Sequence, residues 1–225
     1  TAMPDPKPAR LADLDPAALG ADAVERILRR LGRLALPLAP GVMVRWDGGL
    51  QPDPAARPQH LPTDVRASGL AVTVADLVRY AQAGDVSDWG DPSSAEDALL
   101  TVGEALWSRP IDDTAADGWG VDDLRAELAD DERDDADRVD PLRLAIGCAV
   151  ARWCIWRGDA VTTGELAALA SVSRNAVQMD ALRTTAEGAP KLSGDKVLRG
   201  RTRATEIPAA EARRWLAARG APGWR

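Results

Sequence analysis

Residues 142–156, LRLAIGCAVARWCIW, constrain the fold more than any other stretch of the chain. Wound as a helix, this segment is apolar on nearly every side, and such a helix has to be enclosed by other elements. The expected position is between two layers. Asp140 and Pro141 precede it, a capping side chain followed by a residue pre-set for the first helical position. Arg143 and Arg152 stand nine residues apart, on opposite faces of such a helix. Cys148 and Cys154 face different ways at their spacing of six and cannot share a metal. Both suit small buried apolar positions. Trp153 and Trp156 are three residues apart, share a face, and read as core.

The segments before it supply the first layer. Residues 1–20 are rich in Pro and Ala with little periodicity, and read as a flexible segment. Asp22 to Leu36 places Val24, Ile27, Leu28, Leu31 and Leu34 at helical spacing, and Pro37 ends it. Val42 to Trp46 is a short β-type run closed by Asp47-Gly48-Gly49, and Gln51 to Pro62, with four Pro, reads as a loop. Further helices are expected over Thr73–Ala83, where Thr73 and Asp76 have capping-box spacing, from Ser93 or Ser94 to Trp107, and over Gly118–Ala129. The acidic run at 130–140 lacks the Gly and the distal Glu of a calcium loop and reads as a solvated linker.

Charge divides the chain. Its 225 residues carry a net charge of −7, yet residues 157–225 hold 12 basic and seven acidic groups, or +5, which leaves −12 on the remainder. A basic third suggests a polyanionic partner. The expected organisation is a flexible segment over 1–20, an acidic, mainly helical domain over 21–157 and a basic domain over 158–225. Two Cys exclude a disulfide scaffold and a cysteine-based structural zinc site. The lone His60 lies in the Pro-rich loop, which removes most His-dependent catalysis and multi-His metal sites. No apolar run approaches the roughly 18–20 residues of a membrane span. The opening Thr1-Ala2-Met3-Pro4-Asp5 lacks the basic and then apolar run of a signal peptide, so the cytoplasm is the expected compartment.

Residues 161–183 read VTTGELAALASVSRNAVQMDALR. Thr162 and Glu165 form a T-x-x-E capping box, Leu166, Ala167 and Ala170 give the helix an inward face, and Ser171-Val172-Ser173 makes a turn. Ser173 can cap a second helix in which Val177 faces inward. Residues 196–216, KVLRGRTRATEIPAAEARRWL, follow as two β-type runs around Arg199-Gly200 and a helix opened by Pro208. These residues resemble the winged helix-turn-helix of excisionase and MerR-type DNA-binding proteins. Two departures stand out: the family usually has Gly in place of Ser171, and Asp180 occupies a position that is usually apolar. The resemblance implies that Arg174, Asn175, Gln178 and Met179 face the major groove, that Ser173, whose cap leaves backbone N–H groups near a phosphate, and Arg183 also bind DNA, and that a wing carries Lys196, Arg199, Arg201 and Arg203. At strand spacing the last three are expected on one face, towards phosphates or the minor groove.

The expected fold is therefore mainly α, a helical N-terminal domain followed by a C-terminal winged helix-turn-helix with a small β-hairpin wing. Its expected buried set is Leu166, Ala167, Leu169, Val172, Val177, Ile207, Trp215 and Leu216. The expected function is DNA binding, as a sequence-specific transcriptional regulator or a mobile-element or phage accessory factor. The partners are double-stranded DNA and a second copy or other protein bound through the N-terminal domain, without a membrane or cofactor. An isolated segment from residue 158 is expected to keep weak DNA binding. The alternative is a protein-interaction adaptor that uses the same fold without reading DNA. An enzyme is not expected, since no phosphate loop, dinucleotide fingerprint, nucleophile elbow or metal-spaced cluster occurs.

Overall fold

The computed structural model describes residues 10–35, 69–84, 94–107, 120–131, 140–182, 192–199 and 202–224. Within them the chain is mainly helical with a small antiparallel sheet. After a 3-10 turn at Leu11–Asp13 come α1 (Pro16–Ala35), α2 (Gly69–Ala83), α3 (Ser94–Trp107), α4 (Val121–Asp131) and α5 (Pro141–Arg157). Then follow β1 (Val161–Thr162), α6 (Thr163–Leu169), α7 (Arg174–Leu182), β2 (Asp195–Arg199), β3 (Thr202–Ile207) and α8 (Ala209–Ala218). The expected run at 42–46, the loop at 51–62 with His60, most of the acidic run and the link at 184–191 lie outside the described residues.

The all-round apolar helix sits where its composition demands. Leu142, Ala145, Ile146 and every residue from Cys148 to Ile155 are buried. α5 packs on α1, α2, α3 and α4, which precede it in the chain, and on β1, α6 and α8, which follow it. Asp140 caps its start, accepting from Leu142 N at 3.2 Å, with Pro141 next. At its far end Gly158 takes the left-handed conformation (φ 98°) and Arg213 of α8 donates to the Ile155 and Trp156 carbonyls at 2.5 and 2.9 Å. Trp153 is core, but Trp156 is 43% exposed, so the core reading fails for it. It lies in the last turn of α5, where enclosure ends. Cys148 and Cys154 are both buried, as their reading as small apolar groups requires.

Two helix starts fall elsewhere than the pattern suggested. α1 begins at Pro16, not near Asp22, because Asp15 accepts from Ala17 N at 3.0 Å and caps it. Leu11 and Leu19 are buried, so residues 10–20 are not the weakly ordered segment expected of them. α2 begins at Gly69, and Thr73 stands inside it with its hydroxyl donating to the Gly69 carbonyl at 2.9 Å. Gly20 lets α1 and α2 meet backbone to backbone: a Cβ there would lie 2.3 Å from the Ala71 carbonyl oxygen. Arg26 of α1 ties this layer to α5 through Asp140.

One hydrophobic cluster runs from Leu11 to Ala221 and includes residues from before and after α5. The sheet has the order β1-β3-β2, with β3 antiparallel to both neighbours. After α8 the chain returns to the N-terminal layer. Arg152, 5% exposed, donates to the Ala81 carbonyl of α2 and, at 2.9 Å, to the Pro222 carbonyl. Its guanidinium lies 4.7 Å over the Trp224 ring. Burial pulls this guanidinium down to about 10, still a cation near neutral pH, and the carbonyl end of α2 suits that charge.

Candidate nucleic-acid interface

The basic third builds its elements locally, and most of its turns are set by one or two side chains. α6 starts with a complete capping box: Glu165 N donates to Thr162 Oγ1 at 3.2 Å, and Thr162 N to Glu165 Oε2 at 2.6 Å. The same Glu165 is gripped from α4. Arg125 donates through Nε and Nη2 to the two carboxylate oxygens, both at 2.6 Å, and to the Ala160 carbonyl at 2.9 Å. Burial works against the Arg125 charge, but the hydrogen bonds and charge of Glu165 outweigh it and hold the cation more firmly than usual.

The turn after α6 closes by two bonds, Val172 N to the Ala167 carbonyl at 3.0 Å and Ser171 N to the Ala168 carbonyl at 3.1 Å. That pattern needs a left-handed residue between them. Ser171 supplies it at φ 53°, in the place where Gly is usual. Ser173 then caps α7, accepting at Oγ from Ala176 N at 3.2 Å. Leu166, Ala167, Leu169, Val177, Ile207, Trp215 and Leu216 are buried as expected, and Val172 packs partly buried against them.

Asp180 has a structural use. It accepts from the Trp215 indole N–H at 3.1 Å and pairs with Arg219, whose guanidinium lies 4.5 Å over the Trp215 ring. A carboxylate thus replaces an apolar side chain and docks α7 on α8. In the link before β2, Leu192 is buried, and Glu211 of α8 accepts from Ser193 N and Oγ, both at 2.6 Å.

The residues expected at a groove separate into three groups. Ser173, Arg174, Asn175, Gln178 and Met179 are all exposed, and Met179 is 52% accessible. Arg174 bends back over the start of α6: a Cβ on Gly164 would lie 2.7 Å from one of its terminal nitrogens. Lys196, Arg199 and Arg203 fall on β2 and β3 as expected of a hairpin. Arg183 and Arg201 lie outside the described residues. The same-face expectation for Arg199, Arg201 and Arg203 is corrected by the register. Arg199 pairs with Thr202 and Leu198 with Arg203, so positions 199 and 203 belong to opposite faces. The expectation counted one strand where the chain turns between two.

Arg125 was not foreseen. Its sign in the sequence is a lone cation beside Val121, Leu124 and Leu128 in the acidic helix VDDLRAELADD. Among the described residues no cluster of three or more His, Cys, Asp or Glu could hold a metal, and no helix is long and apolar enough to cross a membrane. Compared with protein-family models, curated proteins and solved structures, the chain matches none.

Proposed function

We propose that this chain is a DNA-binding protein, with residues 158–225 acting as a winged helix-turn-helix. α7 would enter the major groove, and the β2–β3 hairpin would lie on the backbone or in the minor groove. One observation carries the reading. α7 buries Val177 and presents Arg174, Asn175, Gln178 and Met179 together to solvent, behind a tight turn and ahead of a two-stranded hairpin. Asn and Gln bond base edges in pairs, and Arg174, turned back over the start of α6, is placed for a phosphate beside them. Ser173 leaves the start of α7 open to a phosphate. The charge division supports the same side of the molecule, since +5 on residues 157–225 meets a polyanion better than the −12 elsewhere.

The role is that of a regulator or a mobile-element accessory factor in the cytoplasm. A second copy would bind through the N-terminal part, because single units of this kind usually read two half-sites as dimers. Fluorescence anisotropy on an enriched duplex and on random DNA, each at two salt concentrations, tests the reading. Gln178→Ala should cost about 1–3 kcal/mol on the enriched duplex and much less on random DNA. Removing a phosphate-binding hairpin Arg, with Arg199→Ala as the first variant, should weaken both alike and lower the salt slope by about one. Equal loss on both DNAs for every variant would refute sequence reading by α7. Absence of any DNA binding would leave the adaptor in its place.

A further inference from the structure

We infer that α7 reads adenine·thymine pairs, with Asn175 and Gln178 on adenine edges and Met179 packed against thymine methyl groups. The inference rests on the DNA reading proposed above and names the base pairs that it would select. At about 100° per residue, Asn175, Gln178 and Met179 fall within an arc of roughly 100° on α7. All three are exposed, and Val177 on the far side is fully buried. The arc is therefore a single outward surface of definite chemistry.

That surface carries two amides and one thioether. Asn and Gln fit the paired N6 donor and N7 acceptor of adenine. An apolar side chain fits the C5-methyl of thymine, the one apolar feature on the floor of the major groove. Met179 is 52% exposed, and its unbranched, polarizable chain adapts to such a methyl. The side chain suited to guanine is Arg, and α7 has Arg174 in its first turn. Its guanidinium lies against Gly164, where a Cβ would meet Nε at 2.8 Å and the central carbon at 3.1 Å. That position at the start of α6 suits a phosphate beside the groove rather than a base edge within it. The amides and the thioether are left to read bases.

The test uses the full chain and duplexes enriched from a random-sequence pool by repeated binding. The enriched set should share adenine·thymine pairs at its centre. Replacing thymine there by deoxyuridine removes only the methyl. The native chain should lose roughly fourfold in affinity per contacted methyl, the worth of one methyl-sized group moved out of water. Met179→Ala should bind the thymine and deoxyuridine duplexes equally, and Met179→Gln, of similar length but polar, should do the same. Unchanged thermal melting of both variants checks that α7 still docks. A guanine·cytosine centre in the enriched set would overturn the inference and leave DNA reading intact. A deoxyuridine penalty of the same size in the variants would do likewise. No enrichment of any duplex would overturn the DNA reading and this inference with it.

Discussion

Arg125 and Arg152 are both nearly inaccessible to water, at 4% and 5% exposure, and the fold satisfies them by different chemistry. Arg125 has a carboxylate in paired contact, whereas Arg152 is met by carbonyls and an aromatic ring. Removing one member of a buried pair strands the other charge, so Arg125→Ala should cost about 3–5 kcal/mol in urea unfolding. The double change Arg125→Met with Glu165→Met should recover much of that loss, less the capping box. Equal losses from single and double variants would show that the stranded Glu165 charge is not what the single variant costs. Two buried acids set the alkaline limit. Burial pushes the Cys154 thiol and the Tyr80 hydroxyl up to about 12. In the unfolded chain they ionise from ordinary values of about 9 and 10. The unfolded state thus releases protons first, and stability should fall as pH rises past about 9. Urea midpoints between about pH 8 and 10 should decline, and Cys154→Ala should flatten the decline.

Helix ends decide how these residues are placed, and they were unevenly legible. Asp140-Pro141 and Asp15-Pro16 are the same signal. The first was recognised because a long apolar run follows it, while the second stands in a Pro- and Ala-rich opening that masked the start of α1. Thr162 and Glu165 declared α6 because both halves of the capping box lie within four residues. Thr73 and Asp76 have the same spacing, yet α2 starts a turn earlier, and Asp76 pairs with Arg79 instead. Spacing identified the candidate and packing of α2 on α1 set the boundary. Arg125 was illegible for a different reason: its partner is 40 residues away, and no local pattern encodes such a contact. The turn between α6 and α7 gives a prediction at this scale. Ser171 occupies a left-handed conformation that costs a side-chain-bearing residue about 1–2 kcal/mol. Ser171→Gly should therefore raise stability by roughly 0.5–1 kcal/mol after the entropy of the unfolded Gly is counted. Ser171→Val should lower it by more, and thermal melting of the two variants checks the order.

At the scale of the molecule, the charge boundary near residue 157 does not coincide with a boundary in packing. Val161, Leu166, Ala212, Trp215 and Leu216 all belong to the cluster that contains α5. A segment beginning at residue 158 would expose that face, so the weak DNA binding expected of it should be lost with its fold. A segment beginning at Asp140 keeps α5 but presents the surface of that helix that α1, α2, α3 and α4 cover. Amide spectra should therefore be collapsed for the first segment and partly dispersed for the second, with the full chain alone giving native dispersion. Native-like spectra from residue 158 onward would show that the shared helix is dispensable. The shared helix also limits how such a chain could be remade by recombination. A crossover at the charge boundary would deliver a cassette without its floor. One before Asp140 would deliver the floor but leave Glu165 without Arg125, so the recipient would have to supply a cation at that point or lose the carboxylate. Inheritance of the C-terminal elements is in this sense tied to α4, a helix in the acidic region that the composition sets apart from them.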